Sequence, residues 1–150
     1  MPSDSTGTAP EPAAQRFLVV ELRGGLYGID STAVREIVSL LDATRLPGAP
    51  PHVRGVVNLR GQLLTVVDVG HRLTGTAAET PEGSIVVVTT ADRSLGLLVD
   101  DVHEVQELHA VPAERAVLAR ADGLLTGLGR LGDEVVLVID IPELVRQTLV

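Results

Sequence analysis

The residues able to do chemistry are few, and their spacing limits what they can do. Gly127-Leu128-Gly129-Arg130-Leu131-Gly132 reads as G-x-G-x-x-G, the pattern with which a dinucleotide fold cradles a pyrophosphate. That use needs a strand before the glycines and a helix after them. Here an apolar Val/Ile run, Val135 to Ile139, follows instead. A glycine-rich hairpin is the better reading, and a nucleotide-binding enzyme built on Gly127, Gly129 and Gly132 is the rival. His103-Glu104-Val105-Gln106-Glu107 approaches the H-E-x-x-H zinc pattern, with Glu107 in place of the second histidine. The segment reads as a strand, where positions four apart share a face but stand ~13 Å from each other. That is too far for one ion; His109 lies farther still, and a solvated acidic strand face is expected. Asp100 and Asp101, as strand neighbours, point to opposite faces and make no acid–base pair. His52 and His71 fall in loop-like segments without an acid–nucleophile arrangement, no serine sits in a G-x-S-x-G elbow, and no P-loop is present. No catalytic residue, cofactor or metal ligand is expected.

Recognition is the remaining chemistry. Val34-Arg35-Glu36-Ile37 sets two charges between apolar residues. Val53-Arg54-Gly55-Val56-Val57-Asn58-Leu59-Arg60-Gly61 places Asn58 and Arg60 at the end of an apolar strand, against a tight turn. A guanidinium fixed beside a rigid turn can anchor a partner's carboxylate or carbonyls; the plainer alternative is an exposed Arg on a hairpin tip.

Composition narrows the partners. The formal net charge is −8, and all 12 basic residues are Arg, so no basic patch is available to neutralise nucleic-acid phosphates. One Phe, one Tyr and no Trp leave almost nothing on which bases could stack. No Cys is present, which removes disulfides and thiolate metal sites and suits a reducing cytosol. No run approaches the ~18 apolar residues of a membrane helix. Met1 to Gln15, rich in Pro, Ala, Ser and Thr and carrying acids, reads as a flexible leader rather than a signal peptide.

The elements that must position these residues read mostly as strands. Val, Leu and Ile supply 50 of the 150 residues, punctuated by 15 Gly and 9 Pro. Phe17–Leu22 and Leu26–Ile29 form a predicted hairpin around Gly24-Gly25. Asp30 or Ser31 can cap a short helix with Val34, Ile37, Val38 and Leu41 at helical spacing, while Ile37 to Leu46 could equally be a strand. Pro47 to Pro51 ends that stretch. A second hairpin turns at Arg60-Gly61, and Thr74 to Ser84 is the main internal linker. Ile85–Thr90 leads through a turn at Asp92-Arg93 into one long strand from Leu95 to about Leu108. After an irregular Pro/Ala/Arg segment, a last hairpin turns at Gly132-Asp133, and Pro142 starts a C-terminal helix. Leu59 to Val69 and Arg130 to Ile141 echo each other: turn glycine, apolar strand, Asp, helix start. Two similar small barrels, each narrow enough to be filled by Val and Leu, would explain the echo.

Four stretches, Leu26–Val38, Arg45–Val69, Gly96–Val105 and Gly127–Ile141, together resemble the CheW family of chemotaxis adaptors. They follow the family's order, and P-x-A-P-P followed by R-G-V-x-N-L-R-G is the most specific part. The resemblance implies an all-β fold with short helices, made of two packed five-stranded SH3-like barrels. It divides the chain into a leader (1–15) and a CheW-like domain (16–150), with a first barrel mainly over 16–73, a second mainly over 84–141, and a C-terminal helix over 142–149. It implies a non-enzymatic, cytoplasmic adaptor without cofactors that couples chemoreceptor cytoplasmic helical tips to the regulatory domain of a CheA-type histidine kinase. Family members also serve pathways for twitching, surface sensing or development. By motif, Val34 and Glu36 match a kinase- and receptor-facing patch, and Gly55, Asn58 and Arg60 match the N-L-R-G hairpin. Val99 and Val102 would line a groove between the barrels for the receptor tip. The chain departs from the pattern at Thr65, where Pro is usual, at Val69-Gly70-His71, usually more basic, and at His52, usually aromatic.

Overall fold

The computed structural model describes residues 15–39, 43–78, 83–112, 114 and 121–149. The expected leader, except Gln15, and parts of the Thr74–Ser84 linker and of the Pro/Ala/Arg segment lie outside the described residues. Among the described residues eleven strands carry the fold: β1 (Gln15–Leu22), β2 (Gly25–Asp30), β3 (Val34–Ser39), β4 (Val53–Leu59), β5 (Gln62–Asp68), β6 (Ser84–Thr90), β7 (Arg93–Val99), β8 (Asp101–Leu108), β9 (Val111–Pro112), β10 (Leu125–Leu131) and β11 (Glu134–Ile139). Among the described residues two helices join them, α1 (Val69–Thr74) and α2 (Ile141–Thr148), with one 3-10 turn at Ser31–Ala33.

The strands form a six-stranded sheet, ordered β8-β1-β2-β11-β10-β9, and a five-stranded sheet, ordered β3-β6-β7-β5-β4. β9 follows β8 after only two residues, so the pair acts as one bent strand that lines β1 on one side and β10 on the other. The bend wraps the six-stranded sheet into a five-stranded barrel. Across the other sheet, Thr44 plays the part of β9, exchanging backbone hydrogen bonds of 2.8 and 2.9 Å with Val56. The architecture is the expected all-β pair of barrels.

Register relates the barrels closely. The β4–β5 hairpin, capped by Arg60-Gly61, corresponds to the β10–β11 hairpin, capped by Gly132-Asp133. β5 then runs parallel to β7 as β11 runs parallel to β2. Each hairpin ends on an aspartate that caps the next helix: Asp68 accepts from the His71 amide and Asp140 from the Glu143 amide, both at 3.1 Å. The sequence echo is therefore structural. It extends to Val34-Arg35-Glu36-Ile37 and Val102-His103-Glu104-Val105, where Val34 pairs with Val88 as Val102 pairs with Val20, each beside a bulge.

Three expectations change. The barrels are not consecutive halves over 16–73 and 84–141: β3 leaves β2 for the other sheet, and β8 leaves β7 to return. The expected Leu95–Leu108 strand breaks at Asp100, because its two parts serve different sheets. The helix expected after Asp30 stops after one 3-10 turn. Asp30 caps it, accepting from the Thr32 amide at 2.9 Å, but β-branched Val34, Ile37 and Val38 join a sheet edge instead of continuing a helix.

Chain exchange explains where the core sits. Phe17, Leu108, Val136 and Val138 fill one barrel; Val57, Leu64, Val66, Ile85, Val87 and Leu98 fill the other. The largest cluster lies between the sheets and under α2, and includes Val20, Tyr27, Ile29, Val88, Leu97, Val99, Ile139 and Leu144. The lone Phe plugs a barrel and the lone Tyr joins the shared core, so neither is available as a surface anchor.

Candidate functional site

The β4–β5 turn is built to hold Arg60 out in a set direction. Arg60 (φ 51°) and Gly61 (φ 86°) both adopt left-handed backbone, the two-residue hairpin geometry that matches strand twist. Left-handed geometry costs roughly 1–2 kcal/mol in a residue bearing a Cβ, so the surroundings must hold Arg60 there. Asn58 does part of this: its Oδ1 accepts from the Gly61 amide at 2.8 Å. Glu36 does the rest, its Oε2 accepting from Nη2 of Arg60. Arg60 comes from the β4–β5 tip and Glu36 from β3, at opposite edges of one sheet. Their ion pair bridges the two edges where the barrel closes.

Gly55 enables that closure. A Cβ there would lie 2.2 Å from the carbonyl oxygen of Thr44, and its φ is 136°. Only glycine admits the bulge that bends β4 toward the Thr44 bridge. Gly127 repeats the feature in the other barrel, where a Cβ would meet the Val111 carbonyl at 2.8 Å. The G-x-G-x-x-G pattern is thus packing geometry in a hairpin.

The Arg60 hydrogen bond, with added attraction from Arg60 and Arg35, holds the Glu36 carboxyl below its ordinary value against partial desolvation. Glu36 in turn raises Arg60. Nη2 is engaged; among the described residues the other guanidinium nitrogens of Arg60 have no hydrogen-bond partner. Arg35, Leu59, Arg60 and Gln62 line a shallow recess of about 170 Å³. Exposed Leu63 (78%) and Ile37 (46%) flank this pole. Two arginines, an amide and bare aliphatic surface suit a partner bringing carboxylates or carbonyls with apolar side chains. The other barrel has Gly132 in place of Arg60, so the ion pair belongs to one pole alone.

Structure brings Glu36, Gly55, Asn58 and Arg60 together around this closure, while Val34 packs partly buried against the shared core. Val99 is 1% exposed and sits inside that core, and Val102 packs against it. The expectation that Val99 lines a groove is corrected: the space between the barrels there is filled with side chains. A cleft does open between the barrels at another level, with a volume of about 370 Å³. Asp30, Thr32, Thr89, Thr90, Thr126 and Asp140 contribute to its wall. Sequence reasoning missed these residues. The available signal was the hydroxyl-bearing pair Thr89-Thr90 closing an otherwise Val-rich strand.

A second ion-pair network ties the barrels together. Arg23, in the β1–β2 turn, donates from Nη2 to both oxygens of Asp68 at 2.7 Å and from Nη1 to Asp100 at 2.7 Å. Asp68 is the buried acid among the described residues, at 2% exposure. Burial opposes the Arg23 charge, yet the two aspartates leave its pKa raised.

A family model described as "CheW-like domain" matches residues 16–149. The chemotaxis protein CheW of Klebsiella aerogenes is 34% identical over 140 residues, covering 91% of this chain and 84% of that protein. CheW of Bacillus subtilis is 33% identical over 110 residues, covering 73% and 70% respectively. The crystal structure of the scaffolding protein TtCheW from Thermoanaerobacter tengcongensis superimposes with a TM-score of 0.77 at 27% identity, covering 86% of this chain and 90% of that one. The family match over residues 16–149, the identity to curated relatives and the barrel pair shared with a solved scaffold place this chain in the CheW family of chemotaxis coupling adaptors.

Proposed function

We propose that this chain works without catalysis, joining chemoreceptor cytoplasmic tips to the regulatory domain of a CheA-type histidine kinase at membrane-associated arrays. The observation carrying the reading is the Arg60 guanidinium, held by Glu36 and the turn but still offering free donors to a partner. Val34, Glu36, Gly55, Asn58 and Arg60 form or support the kinase- and receptor-facing pole. The cleft beside Thr89 and Thr90 takes the helical tip, while Val102 packs against the shared core. Among the described residues no helix is long and apolar enough to cross a membrane.

The test is reconstitution of kinase autophosphorylation with the cognate kinase and receptor-bearing vesicles. Arg60→Ala and Arg60→Glu should abolish receptor control of the kinase while circular dichroism and the melting temperature stay near those of the native protein. A Glu36→Arg/Arg60→Glu exchange separates the roles of the pair. It restores the bridge but not the guanidinium donors at position 60, so coupling should stay lost. Full kinase control by Arg60→Glu would refute the assignment.

A further inference from the structure

Strand pairing assembles a set of donors away from the Arg60 pole. Glu21 of β1 and Asp101 of β8 stand directly opposite each other in the antiparallel register, so their carboxylates project from one face. His103, two residues after Asp101, reaches the same place. One ligand atom from each of Glu21, Asp101 and His103 lies within 4.8 Å of the other two.

Two observations bear on what this convergence can hold. Carboxylates directly opposite on neighbouring strands repel each other. Among the described residues neither Glu21 nor Asp101 has an arginine partner, and Asp101 Oδ1 accepts from the Val102 amide at 2.9 Å. The third donor is an imidazole nitrogen, which gives a mixed nitrogen–oxygen set suited to zinc-like ions rather than to hard cations alone. Both observations concern the same gap: two negative charges face each other with a metal-ligating side chain beside them and no cation to balance them.

We propose that Glu21, Asp101 and His103 form a binding site for a divalent ion of the zinc type. His103 supplies nitrogen and the two carboxylates supply charge; the remaining coordination positions are open to water. Metal–ligand distances of about 2.0–2.2 Å put two ligand atoms at most ~4.4 Å apart. The exposed Asp101 and His103 side chains therefore need to turn only slightly, on strands already in place. His103 cannot share an ion with Glu107 four positions along its own strand; its co-ligands lie two positions back and across the ladder. Asp101 opens β8 immediately after the chain crosses between barrels, so a bound ion would pin that crossing to β1.

Untagged full-length protein, stripped with chelator, is titrated with zinc chloride by calorimetry and with cobalt(II) by visible absorption. The expected result is one bound equivalent, cobalt d–d bands and a higher melting temperature with zinc. All three should be lost in His103→Ala and in Glu21→Gln, and kept in His71→Ala and His109→Ala, with circular dichroism verifying that each variant folds. Zinc binding unchanged in His103→Ala and Glu21→Gln overturns the proposal, as does the absence of binding by the native protein. Magnesium binding as strong as zinc binding and insensitive to His103→Ala would also overturn it, because carboxylates alone would then hold the ion.

Discussion

Arg23→Ala should damage this protein more than any exposed ion-pair substitution. Arg23 satisfies two acids that differ in burial: Asp68, with its side chain 2% exposed, and Asp100, with its side chain 35% exposed. Removing the guanidinium leaves Asp68 with the His71 amide at 3.1 Å and the Ala78 amide at 3.4 Å as its remaining donors. An uncompensated buried charge costs about 3–5 kcal/mol, while a partly exposed pair such as Arg23–Asp100 contributes about 1 kcal/mol or less. For a domain near this size the larger figure lowers the melting temperature by roughly 6–20 °C. Urea unfolding followed by circular dichroism measures the loss. Arg23→Met/Asp68→Asn should recover much of it, since an asparagine amide can still cap α1 but carries no charge to strand. A loss under about 1 kcal/mol for Arg23→Ala, or no recovery in the double variant, would refute the reasoning.

Gly55→Ala should cost at least about 2 kcal/mol, because the new Cβ meets the Thr44 carbonyl in a left-handed backbone. Gly61→Ala, with open space around its Cβ, should cost only about 1 kcal/mol, and urea midpoints compare the two. Arg60→Ala should raise the Glu36 carboxyl toward its ordinary value by removing the hydrogen bond that lowers it, as an NMR titration of that carboxyl would read. In α2, hydrogen bonds from Arg146 and then Gln147 bring Glu143 from 4.5 to about 2. A carboxyl lowered on folding stabilises the fold above its unfolded value and loses that contribution as pH falls toward the folded one. Glu143→Gln should therefore flatten the acid dependence of the melting temperature between pH 4.5 and about 2.

Much of the local structure was legible along the chain. The hairpins around Arg60-Gly61 and Gly132-Asp133 followed from glycine beside alternating apolar runs, and the helix starts at Asp68 and Asp140 followed from a capping residue at a strand end. Part of the site was legible for the same reason: Asn58, Arg60 and Gly61 lie within four consecutive residues, and their contacts are local. The motif singles out Glu36, but its separation of 24 residues from Arg60 leaves their contact invisible along the chain. Val99 shows the opposite failure. An apolar residue in a strand reads alike whether it lines a groove or fills a core, and only the packing of the second sheet decides between them.

Local residue patterns set the all-β character, the small Val/Leu-filled interiors and the turn that presents Arg60. Each depends on side-chain period and backbone preference within a few residues. Tertiary structure alone decided that β3 and β8 change partners, that Arg23 reaches Asp68 across 45 residues, and that Glu21 faces Asp101 and His103. Those outcomes depend on which strand edges meet. That choice is made by the shared core as a whole, through apolar burial that has no direction along the chain.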